Sequence, residues 1–285
     1  MNLILRAGRP ADAARTGEIC YEAFRAIARQ HNFPEDFPNA EVATGLMTML
    51  LNNPDVYSVV AETDGEIVGS NYLWEGSQVS GVGPITIDPR AQNAAIGRRL
   101  MEDVIRRSDE RGFLSVRLVQ AAYHNRSLAL YTKLGFDPVE PLSVINGAPL
   151  RVAIEGFAVR PLTADDFAAC DDLAFRVHGH TRRGDLPAGL APGAGLVVER
   201  GGRITGYTTG LSYFGHTVAE TNEDLKALIG AADSFPGAGF LLPTRNAAVL
   251  RWCLDNGLRI IQPLTLMSRG IYQEPRGAFL ASILY

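Results

Sequence analysis

Hydrophobic residues recur along this chain with two periods, and the switches between them outline its elements. From residue 10 to 30 the spacing is helical, with Ile19, Ala23, Phe24 and Ile27 on one face. A second helix is predicted over 40–52, ending at Asn52-Asn53-Pro54. Strands are predicted at 57–63, 66–74 and 81–87. A helix over 97–111 puts Leu100, Met101, Val104 and Ile105 on one face and closes at Arg111-Gly112. FLSVRLVQ (113–120) alternates as a strand does, with Leu114, Val116 and Leu118 on one side. A helix over 125–134 stops at Gly135, and a last strand follows. This order predicts an α/β chain with a mixed, mostly antiparallel sheet flanked by helices, not a regular βαβ series.

The pattern then repeats. GRPADAARTGEICYEAFR (8–25) aligns without gaps to VRPLTADDFAACDDLAFR (159–176), and VVAETDGEIVG (59–69) to LVVERGGRITG (196–206). Asp64-Gly65 and Gly201-Gly202 are hairpin dipeptides that accept positive φ. NRSLALYTKLGFDPVEPL (125–142) resembles NAAVLRWCLDNGLRIIQPL (246–264) with one inserted residue. Three correspondences in one order predict an internal duplication and two tandem domains, 1–150 and 151–285, divided near 146–155.

Composition narrows the function classes. The chain has 285 residues, 46% hydrophobic and 20% charged, with net charge −4. Such a balance gives no sign of nucleic-acid binding. Cys20, Cys170 and Cys253 are far apart, which argues against a disulfide framework or a zinc site. Without a long apolar run or a leader pattern, neither a membrane span nor a signal peptide is expected. The expected location is the cytoplasm.

The chemistry is sought at ITIDPRAQNAAIGRRLMEDVI (85–105). A β-branched strand end leads through small residues to a helix start near Ala95–Gly97. A helix start exposes backbone N–H groups and the positive end of the helix dipole. Ala95 and Gly97 let an anion approach the backbone closely, and Arg98 and Arg99 add charge. Neither GK followed by Ser or Thr nor GxGxxG is present, so the P-loop and Rossmann patterns are excluded.

Gln92-x-x-Ala95-x-Gly97-x-x-Leu100 resembles the pyrophosphate loop of the GNAT superfamily of acyl-CoA N-acyltransferases. There Arg or Gln is followed by x-x-G-x and Gly or Ala. Ala95 stands where the family has glycine, an exchange that suits a negative φ. HNRSLALYTKLGFDPV (124–139) resembles a second segment of that family through Asn125, Leu130, Tyr131, Lys133, Gly135 and Phe136.

The resemblance implies two tandem GNAT-like domains, the first binding acetyl-CoA as acyl donor without a metal. It implies that Ile85, Thr86 and Ile87 pair with the pantetheine arm; Gly83-Pro84, in their strand, marks a bulge or edge because proline cannot donate to a ladder. It implies that Gln92, Asn93, Ala94, Ala95, Ile96, Gly97 and Arg98 hold the pyrophosphate, with Asn125 and Ser127 also at the cofactor. Tyr131 is the implied general acid for the departing thiolate; its alternative is a packed helix tyrosine. Asn125 is equally an N-cap. The general base stays open among Asp88, Glu75, His124 and water.

Tyr21, Phe24, Arg25, Arg29 and His31 fall where the family places its acceptor site, though a solvated cationic helix face reads as well. In the second half, Glu220, Glu223 and Asp224 occupy the place of the phosphate loop, read as a solvated helix start, and Cys253 stands opposite Tyr131. That half is expected to have lost the cofactor site.

The expected activity is N-acetylation of a primary amine on a small-molecule or peptide acceptor. No nucleic-acid or membrane partner is expected, and a homodimer is left open. The alternatives are a non-catalytic acyl-CoA-binding or partner-binding module and O-acylation of an alcohol.

Overall fold

The structure, a computed structural model, describes residues 3–91 and 95–284. β1 (Leu3–Ala7) leads through a 3-10 turn at Pro10–Asp12 into α1 (Ala13–His31), and α2 (Ala40–Asn52) follows. Next come β2 (Val56–Thr63), β3 (Glu66–Trp74), β4 (Val79–Val82), β5 (Thr86–Ile87), α3 (Ile96–Arg111), β6 (Ser115–Ala121), α4 (Asn125–Lys133) and β7 (Asp137–Asn146). The second series is β8 (Ala158–Pro161), α5 (Phe167–His178), β9 (Leu196–Arg200), β10 (Arg203–Thr208), β11 (Thr217–Ala219) and α6 (Asn222–Ala231). It ends with β12 (Phe240–Pro243), α7 (Ala247–Asp255), β13 (Arg259–Gly270) and β14 (Ala278–Leu280).

The chain forms two compact units. One comprises 1–118, 123–137 and 268–270; the other comprises 119–122, 138–267 and 271–285.

In the first unit β1, β2, β3, β4 and β6 lie side by side in that order, and the short β5 pairs with β3. β2 and β3 form a hairpin whose turn residues, Asp64 and Gly65, both have positive φ. That is the mirror-image turn whose twist matches a right-handed ribbon. Alternation along β3 sorts the helices. Tyr72 packs with Cys20, Ala43, Met47 and Leu50 beneath α1 and α2. Asn71, next in the strand, reaches the Leu100 carbonyl of α3 at 3.3 Å. The sheet thus has α1 and α2 on one face and α3 on the other.

The second unit repeats this arrangement on an antiparallel sheet, β14-β11-β10-β9-β8. Val197 packs with Cys170, Leu173 and Val177 of α5. Its neighbour Val198 packs with Ala227 and Leu228 of α6. β7 and β12 pair antiparallel, from Leu142 with Pro243 to Ile145 with Phe240.

Polar clamps mark the duplication. Arg6 binds both Asp12 oxygens, at 2.7 and 2.9 Å, and Glu62 at 2.7 Å. Arg160 binds both Asp166 oxygens at 2.7 Å and Glu199 at 2.9 Å. Glu62 and Glu199 agree with the hairpin alignment. Arg6 with Arg160 and Asp12 with Asp166 shift the first alignment by three residues. The shared Arg-Pro dipeptide had set that alignment, whereas the spatial equivalence follows the clamp.

Among the described residues no helix is long and apolar enough to cross a membrane. Nor do any three of their His, Cys, Asp or Glu side chains form a metal-binding group.

Candidate active site

The predicted strand 81–87 is split. β4 pairs with β6 in parallel from Val79–Ser115 to Gly81–Arg117 and stops. After Gly83-Pro84 the chain resumes as β5, where Ser70 faces Thr86 and Gly69 faces Ile87 across β3. Proline cannot donate to a ladder, and the break falls beside it. Among the described residues β5 pairs on its β3 side only. The β4–β6 pairing stops at Gly81 with Arg117, before β5 begins.

α3 begins beside β5. A Cβ built on Gly97 would lie 3.2 Å from Ile87 Cδ1 and 3.6 Å from Leu130 Cδ2. Ile87, Gly97 and Leu130, from a strand end, a helix start and α4, therefore meet at one point. Ile85 and Ile87 are half-buried, Thr86 and Ile96 buried, and Ala95 and Arg98 exposed. The first-turn N–H groups of α3 have no acceptor within the helix. Arg98 is paired with Glu102 at 3.2 Å on the surface. Gln92, Asn93 and Ala94 lie outside the described residues.

Ala95 departs from expectation. It caps α3 with φ 58° and ψ 11°, in the left-handed region, so the condition of a negative φ is not met. The backbone there has the conformation glycine favours, and alanine adopts it at some cost. Asn125 differs also. His124 occupies the N-cap of α4, and Asn125 is the first helical residue, exposed, so it is not the cap. Ser127 donates to the His124 carbonyl at 2.9 Å. In the second unit Asn246 is the N-cap and accepts from the Val249 N–H at 3.3 Å.

Tyr131 sits in the last turn of α4, nearly enclosed, with Phe136 at 6.3 Å between ring centroids. Burial pushes its phenol well above the ordinary tyrosine range, so it holds its proton at neutral pH. Its carbonyl accepts from the Phe136 N–H at 3.1 Å, as that of Cys253 accepts from Leu258 at 3.0 Å. This matching helix end supports the pairing of Tyr131 with Cys253. Burial raises the Cys253 thiol to about 12.

Of the three proton acceptors, two are engaged. Asp88 accepts from Arg15 and doubly from Arg90, and the Arg90 guanidinium, Arg15 and a backbone N–H hold it far below the usual carboxylate range. Such an anion is a weak base. Glu75 receives both arms of Arg107, at 2.7 and 2.9 Å. His124 is half-buried; burial first, then Arg126 and His31, lower its pKa, so it is neutral at pH 7.

The segment around α1 that the resemblance links to the acceptor carries aromatic contacts that sequence reasoning missed. Phe33, just past α1, stacks on Tyr123 at 4.1 Å and 9°, and His31 lies 5.4 Å from the same ring. Phe24 meets Phe37 edge-on at 5.6 Å. Arg25 pairs with Glu22 and lies over Tyr21, and Arg29 pairs with Glu35. The single aromatics in Phe33-Pro34 and Tyr123-His124 were the available signal.

In the second unit the corresponding helix start is filled. Thr221 caps α6, accepting from the Asp224 N–H, while Asp224 accepts from the Thr221 N–H at 3.0 Å and its hydroxyl at 2.6 Å. Thr205 also donates to Asp224, which is fully buried. The expected solvated helix start is therefore incorrect for Asp224, an internal capping-box acid. Glu220 is gripped by Arg203 at 2.5 and 2.7 Å.

Residues 21–136 match the sequence profile of the acetyltransferase (GNAT) family. Over 108 residues the chain is 29% identical to an IAA acetyltransferase of Azospirillum brasilense, covering 37% of this chain and 70% of that one. The fold is similar to that of a putative acetyltransferase from Pyrococcus horikoshii, with TM-score 0.72, 15% identity, and 99% and 92% of the two chains covered. It is also similar to a tandem GNAT protein from the clavulanic acid biosynthesis pathway, with TM-score 0.57, 13% identity, and 94% and 98% covered. The split strand and the helix start beside it fall inside the profile match: residues 21–136 carry the sequence profile of the acetyltransferase (GNAT) family, and the fold is that of acetyltransferases of this kind.

Proposed function

We propose that this protein is an N-acetyltransferase that binds acetyl-CoA in its first unit and acetylates a primary amine of a small molecule or peptide. One observation carries the reading: β4 pairs with β6 only as far as Gly81, β5 then pairs with β3, and α3 starts beside β5, where a Cβ on Gly97 would come within 3.2 Å of Ile87 Cδ1. The open edge of β5 suits the amides of a pantetheine arm. The α3 amides, bared by Gly97, suit the pyrophosphate.

The amine attacks the thioester carbonyl, a C–N bond forms and the C–S bond breaks. Tyr131 gives its proton to the departing sulfur, and His124, neutral at pH 7, is the side chain suited to take the proton from the amine, directly or through water. The second unit retains the fold without a cofactor site. Three free, buried cysteines fit a cytoplasmic location.

Replacing Tyr131 with Phe tests the chemistry. General acid catalysis contributes roughly 10²–10⁴-fold. We expect Tyr131→Phe to lower kcat at least about tenfold in a thiol-release assay over an amine panel, with the acetyl-CoA Kd unchanged. An unaltered kcat removes Tyr131 from the chemistry.

A further inference from the structure

Asp88 is left without a part in the reaction above, yet it is 5% exposed at the junction of β5 and the phosphate loop. Its contacts run in three directions. Arg15 of α1 donates to Oδ2. The Arg90 backbone N–H and Nε donate to Oδ1 at 2.9 and 3.0 Å, and Arg90 Nη2 to Oδ2 at 2.7 Å. Its own N–H donates to the Val68 carbonyl at 2.9 Å, and its carbonyl receives the Ala91 N–H at 2.8 Å. Arg15 also points Nε at the Ile67 carbonyl at 3.4 Å. The carboxylate thus ties α1 to the turn at 89–91, while the Asp88 backbone N–H and Arg15 Nε reach the start of β3.

That turn leads to Ala95 and its left-handed backbone. A non-glycine residue stays in that region only where its surroundings over-determine it. An anion site made of backbone amides also depends on the placement of the backbone alone, since no side chain can swing in to compensate.

We propose that Asp88, with Arg15, is a positioning residue for acyl-CoA: it clamps the turn at 89–91 to α1 and β3 ahead of α3, and so favours the placement of the first-turn amides of α3 where the pyrophosphate docks. The inference rests on the phosphate-loop reading above. It carries a sign opposite to simple electrostatics. Removing a negative charge beside a polyanion should by itself tighten binding, and it would also release Arg90 toward the ligand. Loss of the clamp weakens binding instead.

Calorimetric titration of CoA into full-length Asp88→Asn and Arg15→Gln is the test, with Gly97→Glu alongside and thermal unfolding to select folded protein. We expect each clamp variant to bind CoA about tenfold more weakly. In thiol release, acetyl-CoA KM should rise by a similar factor with kcat within twofold, so that excess acetyl-CoA restores the rate. Arg15→Lys should recover part of the loss. A merely structural defect would lower the active fraction and hence kcat, leaving KM in place. If Gly97→Glu abolishes binding while Asp88→Asn binds as tightly as the parent or more tightly, the clamp is overturned and the loop reading stands. If Gly97→Glu itself binds CoA within twofold of the parent, both fall together. Should Asp88→Asn not fold, the same two outcomes are read from Arg15→Gln.

Discussion

Ala95 shows how one residue is set against its own preference. Left-handed backbone costs an L-residue about 1–2 kcal/mol, and glycine is nearly free of that cost. Ala95 stands there at the start of α3, next to the point where a Cβ on Gly97 would come within 3.2 Å of Ile87 Cδ1. Glycine also gains freedom in the unfolded chain, which offsets part of the relief. Ala95→Gly should therefore leave stability unchanged or raise it by up to about 1 kcal/mol, with CoA affinity retained. Chemical denaturation reads the first and calorimetry the second. A loss beyond about 1 kcal/mol would show that Ala95 is not strained.

At the scale of elements, α3 and α6 start from opposite solutions to the same problem. Both expose first-turn amides. α3 has Ala95 at its cap, with no side-chain oxygen to satisfy them, which under the proposed function leaves them for the pyrophosphate. α6 satisfies its own through Thr221 and Asp224. Asp224 is buried, and Thr205 and Thr221 depend on it. Asp224→Ala should cost about 2–4 kcal/mol, combining a lost cap with orphaned donors. A change under about 1 kcal/mol on denaturation would contradict this account of the helix start.

For the whole molecule, the difference between those helices sets the stoichiometry. A phosphate at α6 would meet Glu220 and Asp224, each opposing it by about a kcal/mol at ~4 Å and an effective dielectric of ~20. It would find no phenol either, since Cys253 stands where Tyr131 does. Acetyl-CoA titrated into the full-length chain should saturate near one equivalent, and Asp224→Ala should leave that number unaltered. Saturation near two equivalents would sink the assignment of the site to the first unit.

Periodicity and local motifs were enough to foresee the first-unit helices, the β2–β3 hairpin, an irregularity at Gly83-Pro84, the helix start before Gly97 and Tyr131 on α4, but not that the strand over 81–87 divides in two. Each depends on residues close in sequence: a 3.6- or 2-residue repeat, a turn dipeptide, a proline in a ladder. The duplication was legible for the same reason, although its first register was not. The Arg-Pro dipeptide lies nearby in both copies, but the equivalence is set by Arg6 and Arg160 reaching their acids across two strands. Other features needed the folded chain. Asp88 stood among the candidate bases until Arg15, seventy-three residues away, was found against it. Asp224 read as solvated until Thr205 closed over it. The φ of Ala95, the stack of Phe33 on Tyr123 and the start of α4 at Asn125, with His124 at the N-cap position, follow from how distant segments meet. Local sequence specifies which elements form; which polar groups remain open for chemistry is decided by the partners that tertiary packing brings to them.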